Sequence, residues 1–323
     1  MRTKTHPKRS VAVLAVAAIA CAGAAYPGQA AAQSASTSSR GLSDEQARRV
    51  VPRADLSDLS DEQRAQFLEV AGDVFDYAGC KDTLARCLSA DVQDVHAVRM
   101  AELVKALILE GGTPSRVIET VEAYYASFDA SKRQPLRTND CPVLGEPKAP
   151  VALVEFSDYQ CPHCAVANKP LHDLVSTPPV KGKARLCSKF FPLPGHTRAR
   201  IAAGCAEFAR QKGKFWQMND LLFAHQDELD DASLKSYAKQ IGLDGAQMLK
   251  EVYAGKFEGA IESHLKEGMG ARVQATPTIF VNGRQHLLPA KLQFLRRSVE
   301  DELEWQQNKA FVYQGRDGRE KKG

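Results

Sequence analysis

Hydrophobic residues recur along this chain with two different periods. From residue 60 to about residue 130 the apolar positions are spaced three and four apart, which predicts three amphipathic helices. We interpret residues 60–130 as a small all-α domain. The capping-box pair Ser60 and Gln63 marks the start of the first helix. Asp91 is the predicted cap of the second helix, which Gly111-Gly112 ends. The third helix is predicted to begin at Thr113-Pro114 and to run to about Phe128.

After residue 150 the apolar positions form short runs of β-branched and aromatic residues. These runs predict three buried strands and a hairpin partner, with an all-helical insertion over about residues 198–270 and a last helix to about Gln307. The pattern predicts an α/β domain over residues 151–308. The predicted strands are Val151 to Phe156, Ala184 to Phe191 and Thr278 to Val281, and the Asn282-Gly283 turn leads to Arg284 to Leu288.

The remaining segments lack an apolar period. Residues 33–59 are rich in Ser, Ala, Asp and Arg and are predicted to be a flexible linker. Residues 131–150 contain four prolines and are predicted to be a second linker. Residues 309–323 form a polar, basic tail.

The first 32 residues have the pattern of a secretory signal peptide. Basic residues precede the apolar run Val11 to Ala22, and small residues follow up to Ala32, so cleavage would leave Gln33 as the first residue. A lipoprotein site that leaves a lipidated Cys21 is the alternative. We therefore expect a periplasmic or secreted protein.

Composition excludes some functions. The chain is 44% hydrophobic and 25% charged, which is ordinary for globular domains. The net charge of +4 is small and the basic residues are scattered, so nucleic acid is not an expected partner.

Seven of the eight cysteines remain after cleavage at Ala32, and an exported chain meets an oxidising compartment, where disulfides are expected. Cys80 and Cys87 would lie about 10 Å apart on one continuous helix, so a disulfide between them requires a turn. Two separate thiols or a second redox pair are the alternatives. The sequence identifies no partner for Cys141.

The most informative stretch is Cys161-Pro162-His163-Cys164, which follows a predicted strand and precedes a predicted helix. Two cysteines at this spacing form a redox-active disulfide or half of a zinc site. Pro162 suits the first helical position, so Cys161 would meet unpaired N–H groups and the positive end of the helix dipole, which favour a thiolate. No second ligand pair stands at a suitable spacing for zinc, so neither a metal nor a cofactor is predicted.

Three separated motifs, FSDYQCPHC, GKFWQMNDLLFAHQ and ATPTIFVNG, occur in an order that resembles the DsbA-like thioredoxin-fold oxidoreductases over about residues 141–307. The resemblance implies an α/β thioredoxin fold with a long all-helical insertion, here preceded by the small all-α unit. Residues 80–128 distantly resemble the helical hairpin of the cytochrome c biogenesis protein CcmH, without that family's closely spaced cysteine pair.

The resemblance also implies roles for single residues. Glu155, six residues before Cys161, matches a buried carboxylate that can shuttle a proton for the resolving cysteine; the alternative is that it points to solvent. Cys187 and Cys205 are candidates for a structural disulfide, or are two buried thiols. The implied roles are Cys161 as exposed nucleophile, Cys164 as buried resolving thiol, Pro162 and His163 as the residues that tune reactivity, and Thr276 and cis-Pro277 as the substrate-binding backbone.

The sequence therefore predicts an exported thiol–disulfide oxidoreductase whose partners are unfolded or folding exported proteins with free cysteines, and which acts on them as an oxidant. Thr276 before the cis-proline also occurs in isomerase and reductase relatives. The alternatives are thus an isomerase or reductase kept reduced by a membrane redox partner, and a non-catalytic client-binding protein with a role in cytochrome c maturation.

Overall fold

A computed structural model describes residues 43–89, 91 and 94–308 of the 323-residue chain. The predicted signal peptide, the alternative lipidation site at Cys21 and the basic tail lie outside the described residues. All described residues belong to one compact unit. Within them, no helix combines the length and the apolar character needed to cross a bilayer.

Short and medium-length helices form the N-terminal part of the described chain. They are α1 Asp44–Val50, α2 Asp61–Asp73, α3 Leu84–Cys87, α4 Val95–Leu109 and α5 Pro114–Ala126, followed by a 3₁₀ turn at Ala130–Lys132. Helix α2 begins at the predicted capping box, in which Ser60 and Gln63 exchange hydrogen bonds. Helix α4 is capped by Asp94 rather than Asp91, because the Asp94 carboxylate accepts from two N–H groups of its first turn.

Residues 43–59, which the sequence indicated to be flexible linker, are folded. Ser43 and Gln46 form a second capping box at the start of α1. The linker prediction was wrong here because the apolar residues are sparse and irregularly spaced in a polar segment, so they produce no helical or strand period. The residues that join the core of the N-terminal helices are Ala47, Val51, Ala54, Leu56 and Leu59.

A five-stranded mixed sheet forms the centre of the C-terminal part. Its strands are β1 Val143–Gly145, β2 Val151–Ser157, β3 Ala184–Phe190, β4 Thr278–Val281 and β5 Arg284–Gln285. They lie in the order β1-β3-β2-β4-β5, with β2 and β3 parallel and the other pairs antiparallel. Asn282 and Gly283 have φ angles of 47° and 81°, as the predicted type I′ turn requires. Every residue of β2 is buried.

Seven helices complete the C-terminal part: α6 Pro162–Ser176, α7 Ala199–Gln211, α8 Phe215–Ala224, α9 Asp231–Gln240, α10 Gly245–Tyr253, α11 Glu258–Gly270 and α12 Leu292–Asn308. Helices α6 and α12 pack on one face of the sheet. Helices α7 to α11 lie between β3 and β4 in the sequence. The predicted thioredoxin fold with a long all-helical insertion is confirmed.

The predicted linker over residues 131–150 contains the edge strand β1. Its residues pair antiparallel with β3, and Val143 lies opposite Cys187. The N–H of Gln134 also donates to the carbonyl of Gly283 over 2.7 Å, which fixes the preceding segment to the β4–β5 turn. Four prolines interrupt this stretch, so a three-residue strand left no recognisable alternation in the sequence.

Buried charges join the N-terminal helices to the C-terminal part. Arg284, Asp301 and Glu302 are each at most 1% exposed. The hydroxyl of Tyr124 donates to Asp301 over 2.8 Å. Arg284 lies 3.5 Å from Glu302 and stacks 3.9 Å from the ring centre of Phe128. Helices α5 and α12 are therefore held together by polar as well as apolar contacts.

Four cysteines form two disulfide bonds. Cys80 and Cys87 are bonded across the irregular segment between α2 and α3, which supplies the turn that their spacing demands. Cys187 is bonded to Cys141, so the candidate pairing of Cys187 with Cys205 was wrong, and of these two cysteines only Cys205 is a buried free thiol. The reason is that Cys187 faces an apolar cluster that also contains Cys141, whereas Cys205, on α7, is a free thiol in a separate cluster.

Loss of the Cys141–Cys187 bond is expected to lower the free energy of unfolding by about 4 kcal/mol, because this bond closes the longer loop, of 46 residues. The Cys80–Cys87 bond, with a separation of 7, is expected to contribute only about 2 kcal/mol. Chemical denaturation of the two double-alanine variants measures both losses. A larger loss at Cys80 and Cys87 would contradict this ranking.

Candidate active site

The Cys-Pro-His-Cys tetrad lies where β2 ends and α6 begins. Cys161 is the N-cap residue of α6, and Pro162 occupies the first helical position. Proline has no backbone N–H, and at this position its absence costs no hydrogen bond within the helix. The N–H of Cys164 donates to the carbonyl of Cys161 over 3.0 Å. Cys161 therefore lies at the positive end of a 15-residue helix, as the spacing predicted.

The two thiols of the tetrad are both free and both largely buried. Cys164 is fully buried, and Cys161 is only 5% exposed, so the expectation of an exposed Cys161 was wrong for this structure. The cause is the loop before β4, since Cys161 Sγ donates to the carbonyl oxygen of Thr276 over 3.2 Å. Pro162 and His163 are the exposed members of the tetrad.

The loop before β4 carries the predicted substrate-binding backbone. The Thr276-Pro277 peptide bond is cis. The Thr278 hydroxyl donates to the carbonyl of Ala275 over 2.6 Å and closes this turn. The structure thus brings Thr276 to Cys161, while its contact with a substrate stays a prediction.

Glu155 lies on β2 and is 3% exposed, which excludes the alternative that it points to solvent. Burial raises the pKa of its carboxyl to about 7, and the nearby hydroxyl of Ser157 opposes this shift in part. Glu155 therefore changes its charge near neutral pH, which is the property that a proton shuttle requires.

Cys164 is the partner of this carboxyl. Burial raises the pKa of the Cys164 thiol, and the negative charge of Glu155 raises it further. The Ser157 hydroxyl and the N–H of Asp158 oppose the shift. Cys164 is thus held as a thiol at neutral pH, so its participation in exchange requires a proton acceptor.

Asp158 holds the turn between β2 and α6 and was not identified from the sequence. Its buried carboxylate accepts from the N–H of Gln160 over 2.7 Å, from the N–H of Leu193 over 2.7 Å and from His196 Nδ1 at 2.8 Å. Asp side chains commonly accept a hydrogen bond from the backbone N–H two residues later and so stabilise a turn. This preference could have indicated the role of Asp158 from the sequence. The carboxylate joins the turn before Cys161 to the loop after β3.

The helical insertion also contacts this turn. Gln226 Nε2 donates to the carbonyls of Tyr159 and Cys161 over 2.7 and 2.9 Å. The Tyr159 hydroxyl lies 3.2 Å from Asn219 Oδ1, and its ring centre lies 4.8 Å from that of Phe223. These insertion residues come from the motif GKFWQMNDLLFAHQ, which explains why it accompanies the cysteine tetrad.

Replacement of Glu155 by glutamine is expected to change how stability depends on pH. A carboxyl whose pKa rises from 4.5 to about 7 on folding binds more protons in the folded state between these values, so wild-type stability falls as pH increases through that window. Between pH 4 and pH 8, the free energy of unfolding of Glu155→Gln should therefore rise by about 3 kcal/mol relative to that of wild type. Urea denaturation at several pH values measures the gain.

The matched control is Glu119→Gln, because the side chain of Glu119 is 70% exposed. This variant should follow the wild-type pH dependence. A Glu155→Gln stability that parallels wild type from pH 4 to pH 8 would contradict the raised pKa of Glu155.

A dithiol at a helix N-terminus, beside a buried carboxylate and a cis-proline loop, defines the class of thioredoxin-fold thiol–disulfide oxidoreductases, and the helical insertion gives it the DsbA-like form. The thioredoxin family model matches residues 137–301, just over half of the chain. The chain therefore belongs to the thioredoxin family. The CcmH-like character of residues 80–128 stays a prediction.

A solved structure supports this assignment. Oxidised BdbD from Bacillus subtilis is 25% identical with a TM-score of 0.50, and the match covers 53% of this chain and 97% of that chain.

Curated relatives share only part of their length with this chain. The Na(+)/H(+) antiporter NhaA 3 of Salinispora tropica is 36% identical over 158 residues, which are 49% of this chain and 24% of that protein. NhaA 1 of Salinispora arenicola is 36% identical over 145 residues, 45% of this chain and 22% of that protein. The chain thus spans about a quarter of the length of these relatives.

Proposed function

We propose that this chain is an exported enzyme that exchanges disulfides with cysteines of other exported proteins and acts on them as an oxidant. The observation that carries the proposal is the placement of Cys161 at the start of α6, three residues before the buried Cys164, with its sulfur 3.2 Å from the Thr276 carbonyl. The signal-peptide pattern of residues 1–32 and the two structural disulfides support export to an oxidising compartment.

In the oxidising direction, a client thiolate attacks Cys161 Sγ of the oxidised enzyme. The Cys161–Cys164 bond breaks, a mixed disulfide forms, and Cys164 leaves as a thiolate. A second client thiolate then attacks the client sulfur of the mixed disulfide and releases Cys161 as a thiolate. Two electrons pass from the client to the enzyme, and the N-terminus of α6 stabilises the released Cys161 thiolate.

Glu155 supplies the proton for this reaction. Its carboxyl is protonated below about pH 7, and the thiol of Cys164 is favoured over the thiolate because it is buried. As Cys164 leaves, it takes the proton of Glu155; when Cys164 attacks in the reverse reaction, Glu155 takes the proton back. The negative charge of the leaving sulfur thus passes to Glu155, the more acidic of the two buried groups, so no thiolate persists at Cys164.

Reduction or isomerisation of client disulfides is the second candidate, with the enzyme kept reduced by a membrane redox partner. The residue that favours it is Thr276, whose carbonyl oxygen contacts Cys161 and whose hydroxyl has no hydrogen-bond partner within the described residues. Such a hydroxyl next to the nucleophile adds a polar contact for a client backbone.

A redox titration of the Cys161/Cys164 pair tests the direction. Titration against glutathione buffers in a Cys205→Ala background keeps the third free thiol out of the readout. A potential near that of strong oxidants, about −120 mV, is expected for an oxidase. A potential at or below about −270 mV, that of thioredoxin, would contradict the oxidant and favour the reductase.

A further inference from the structure

Glu155, Ser157 and Cys164 meet in one buried layer. Glu155 and Ser157 are two residues apart on β2, so their side chains project from the same face of the strand. Helix α6, which carries Cys164, covers that face. The three residues are 3%, 8% and 0% exposed. A side chain of this layer therefore exchanges protons with its neighbours rather than with bulk water.

Two polar atoms of this layer are unpaired. Among the described residues, neither Glu155 Oε1 nor Ser157 Oγ has a hydrogen-bond partner, although both atoms are buried. Leaving a buried polar atom unpaired costs about 1–3 kcal/mol, so each such atom calls for an explanation. Both residues affect the pKa of the Cys164 thiol, so they lie close to it.

We propose that the hydroxyl of Ser157 relays the proton between the carboxyl of Glu155 and the sulfur of Cys164. The relay rests on the proton-shuttle role of Glu155 that forms part of the proposed function. Ser157 is suited to it because a hydroxyl donates one hydrogen bond while it accepts another. It also follows Glu155 on the same strand, so the backbone of β2 fixes their separation.

The electrostatics of the layer agree with this position. The Ser157 hydroxyl lowers the pKa of the Glu155 carboxyl and also that of the Cys164 thiol, so it lies near both groups, although it forms no regular hydrogen bond to either in this structure. The backbone N–H of Asp158, the next residue, also lowers the pKa of the Cys164 thiol. The end of β2 thus supplies two donors that stabilise the Cys164 thiolate while the proton is in transit.

The relay step balances as follows. When Cys164 attacks a mixed disulfide at Cys161, its S–H proton passes to Ser157 Oγ while the Ser157 O–H proton passes to Glu155 Oε1. The Cys161–Cys164 bond forms, the bond from Cys161 to the client sulfur breaks, and the client sulfur leaves as a thiolate. Over the formation and the resolution of the mixed disulfide together, the two cysteines lose two electrons and the client disulfide gains them. The reverse reaction returns both protons.

The test mixes reduced enzyme with oxidised glutathione and quenches the reaction with acid at intervals. Mass spectrometry then separates reduced enzyme, the mixed disulfide at Cys161 and the oxidised pair. Ser157→Ala should consume reduced enzyme at the wild-type rate and accumulate the mixed disulfide, since the attack by Cys164 is expected to slow by about 100-fold. In wild type the rate of attack by Cys164 should change with pH near 7, and in Ser157→Ala this pH dependence should be lost.

Two further variants isolate the hydroxyl. Ser157→Thr keeps a hydroxyl and should restore resolution of the mixed disulfide. Ser188→Ala removes another buried serine, which lies opposite Glu155 on β3, and should behave as wild type. Accumulation of the mixed disulfide in both Ser157→Thr and Ser188→Ala would overturn the relay, because packing and not the hydroxyl would then control the step.

Glu155→Gln separates the relay from the proposed function. If Glu155→Gln slows resolution and Ser157→Ala does not, the relay is overturned while the shuttle stands. If neither slows it, the shuttle role of Glu155 fails and the relay fails with it. A double variant no slower than either single variant supports the relay, whereas multiplied losses would overturn it.

Discussion

Cys161→Ser is expected to abolish disulfide exchange, so that the rate falls to the one measured in buffer without enzyme. The reason is that the Cys161 sulfur is attacked in the first step of the proposed oxidation and is the leaving group in the second. Cys205 cannot replace it: this thiol is fully buried, and burial raises its pKa to about 12. The measurement is the oxidation of a reduced two-cysteine peptide, followed by mass spectrometry.

Cys164→Ser should have a different effect. With an oxidised client, attack of Cys161 on the client disulfide remains possible, but Cys164 can no longer resolve the mixed disulfide, so a covalent enzyme–client complex should accumulate and be visible on a non-reducing gel. Cys205→Ser is the matched control, as a buried free cysteine outside the tetrad, and it should retain wild-type turnover. Full activity of Cys161→Ser would instead support the non-catalytic, client-binding alternative.

Glu302→Gln is expected to lower the free energy of unfolding by about 3–5 kcal/mol, which makes it the largest effect on stability that we predict. Glu302 is fully buried and accepts two hydrogen bonds from Arg133, at 2.8 and 3.0 Å, while it faces the fully buried Arg284. Removal of its charge leaves the Arg284 guanidinium without a facing carboxylate in the core. Urea denaturation monitored by circular dichroism measures the loss.

Two comparisons make this prediction specific. Glu119→Gln, in an exposed pair with Arg116, should change stability by less than about 1 kcal/mol. The double variant Arg284→Met/Glu302→Gln should regain much of the loss, because it removes the cation that the single variant leaves buried. If Glu302→Gln matched the exposed control, the buried pair would have no part in joining the two regions.

Local patterns in the sequence predicted the parts of the fold that local physics determines. The capping box at Ser60, the apolar strand Val151–Ser157 and the Asn282-Gly283 turn each depend on residues close together in the chain. The placement of Cys161 at the start of α6 followed in the same way, because a strand, a proline and a helical period adjoin it.

Contacts between distant segments were not predictable in this way. The pairing of Cys141 with Cys187 depends on β1 lying beside β3, and β1 is too short to be seen in the sequence. The burial of Cys161 depends on Thr276, 115 residues away. The burial of Asp301 and Glu302 could not be predicted, because nothing near them in the sequence shows that Tyr124 contacts Asp301 and that Arg133 contacts Glu302.

The two edges of the sheet have a consequence for an enzyme that handles unfolded chains. Strand β1 has three residues and β5 has two, so each edge offers few unpaired backbone groups to an incoming chain. An unfolded client therefore gains little by adding itself as a further strand. In the proposed function the Thr276-Pro277 loop engages the client, so a client whose cysteines have reacted is not held by an extended strand pairing. Short edges thus favour turnover over co-aggregation.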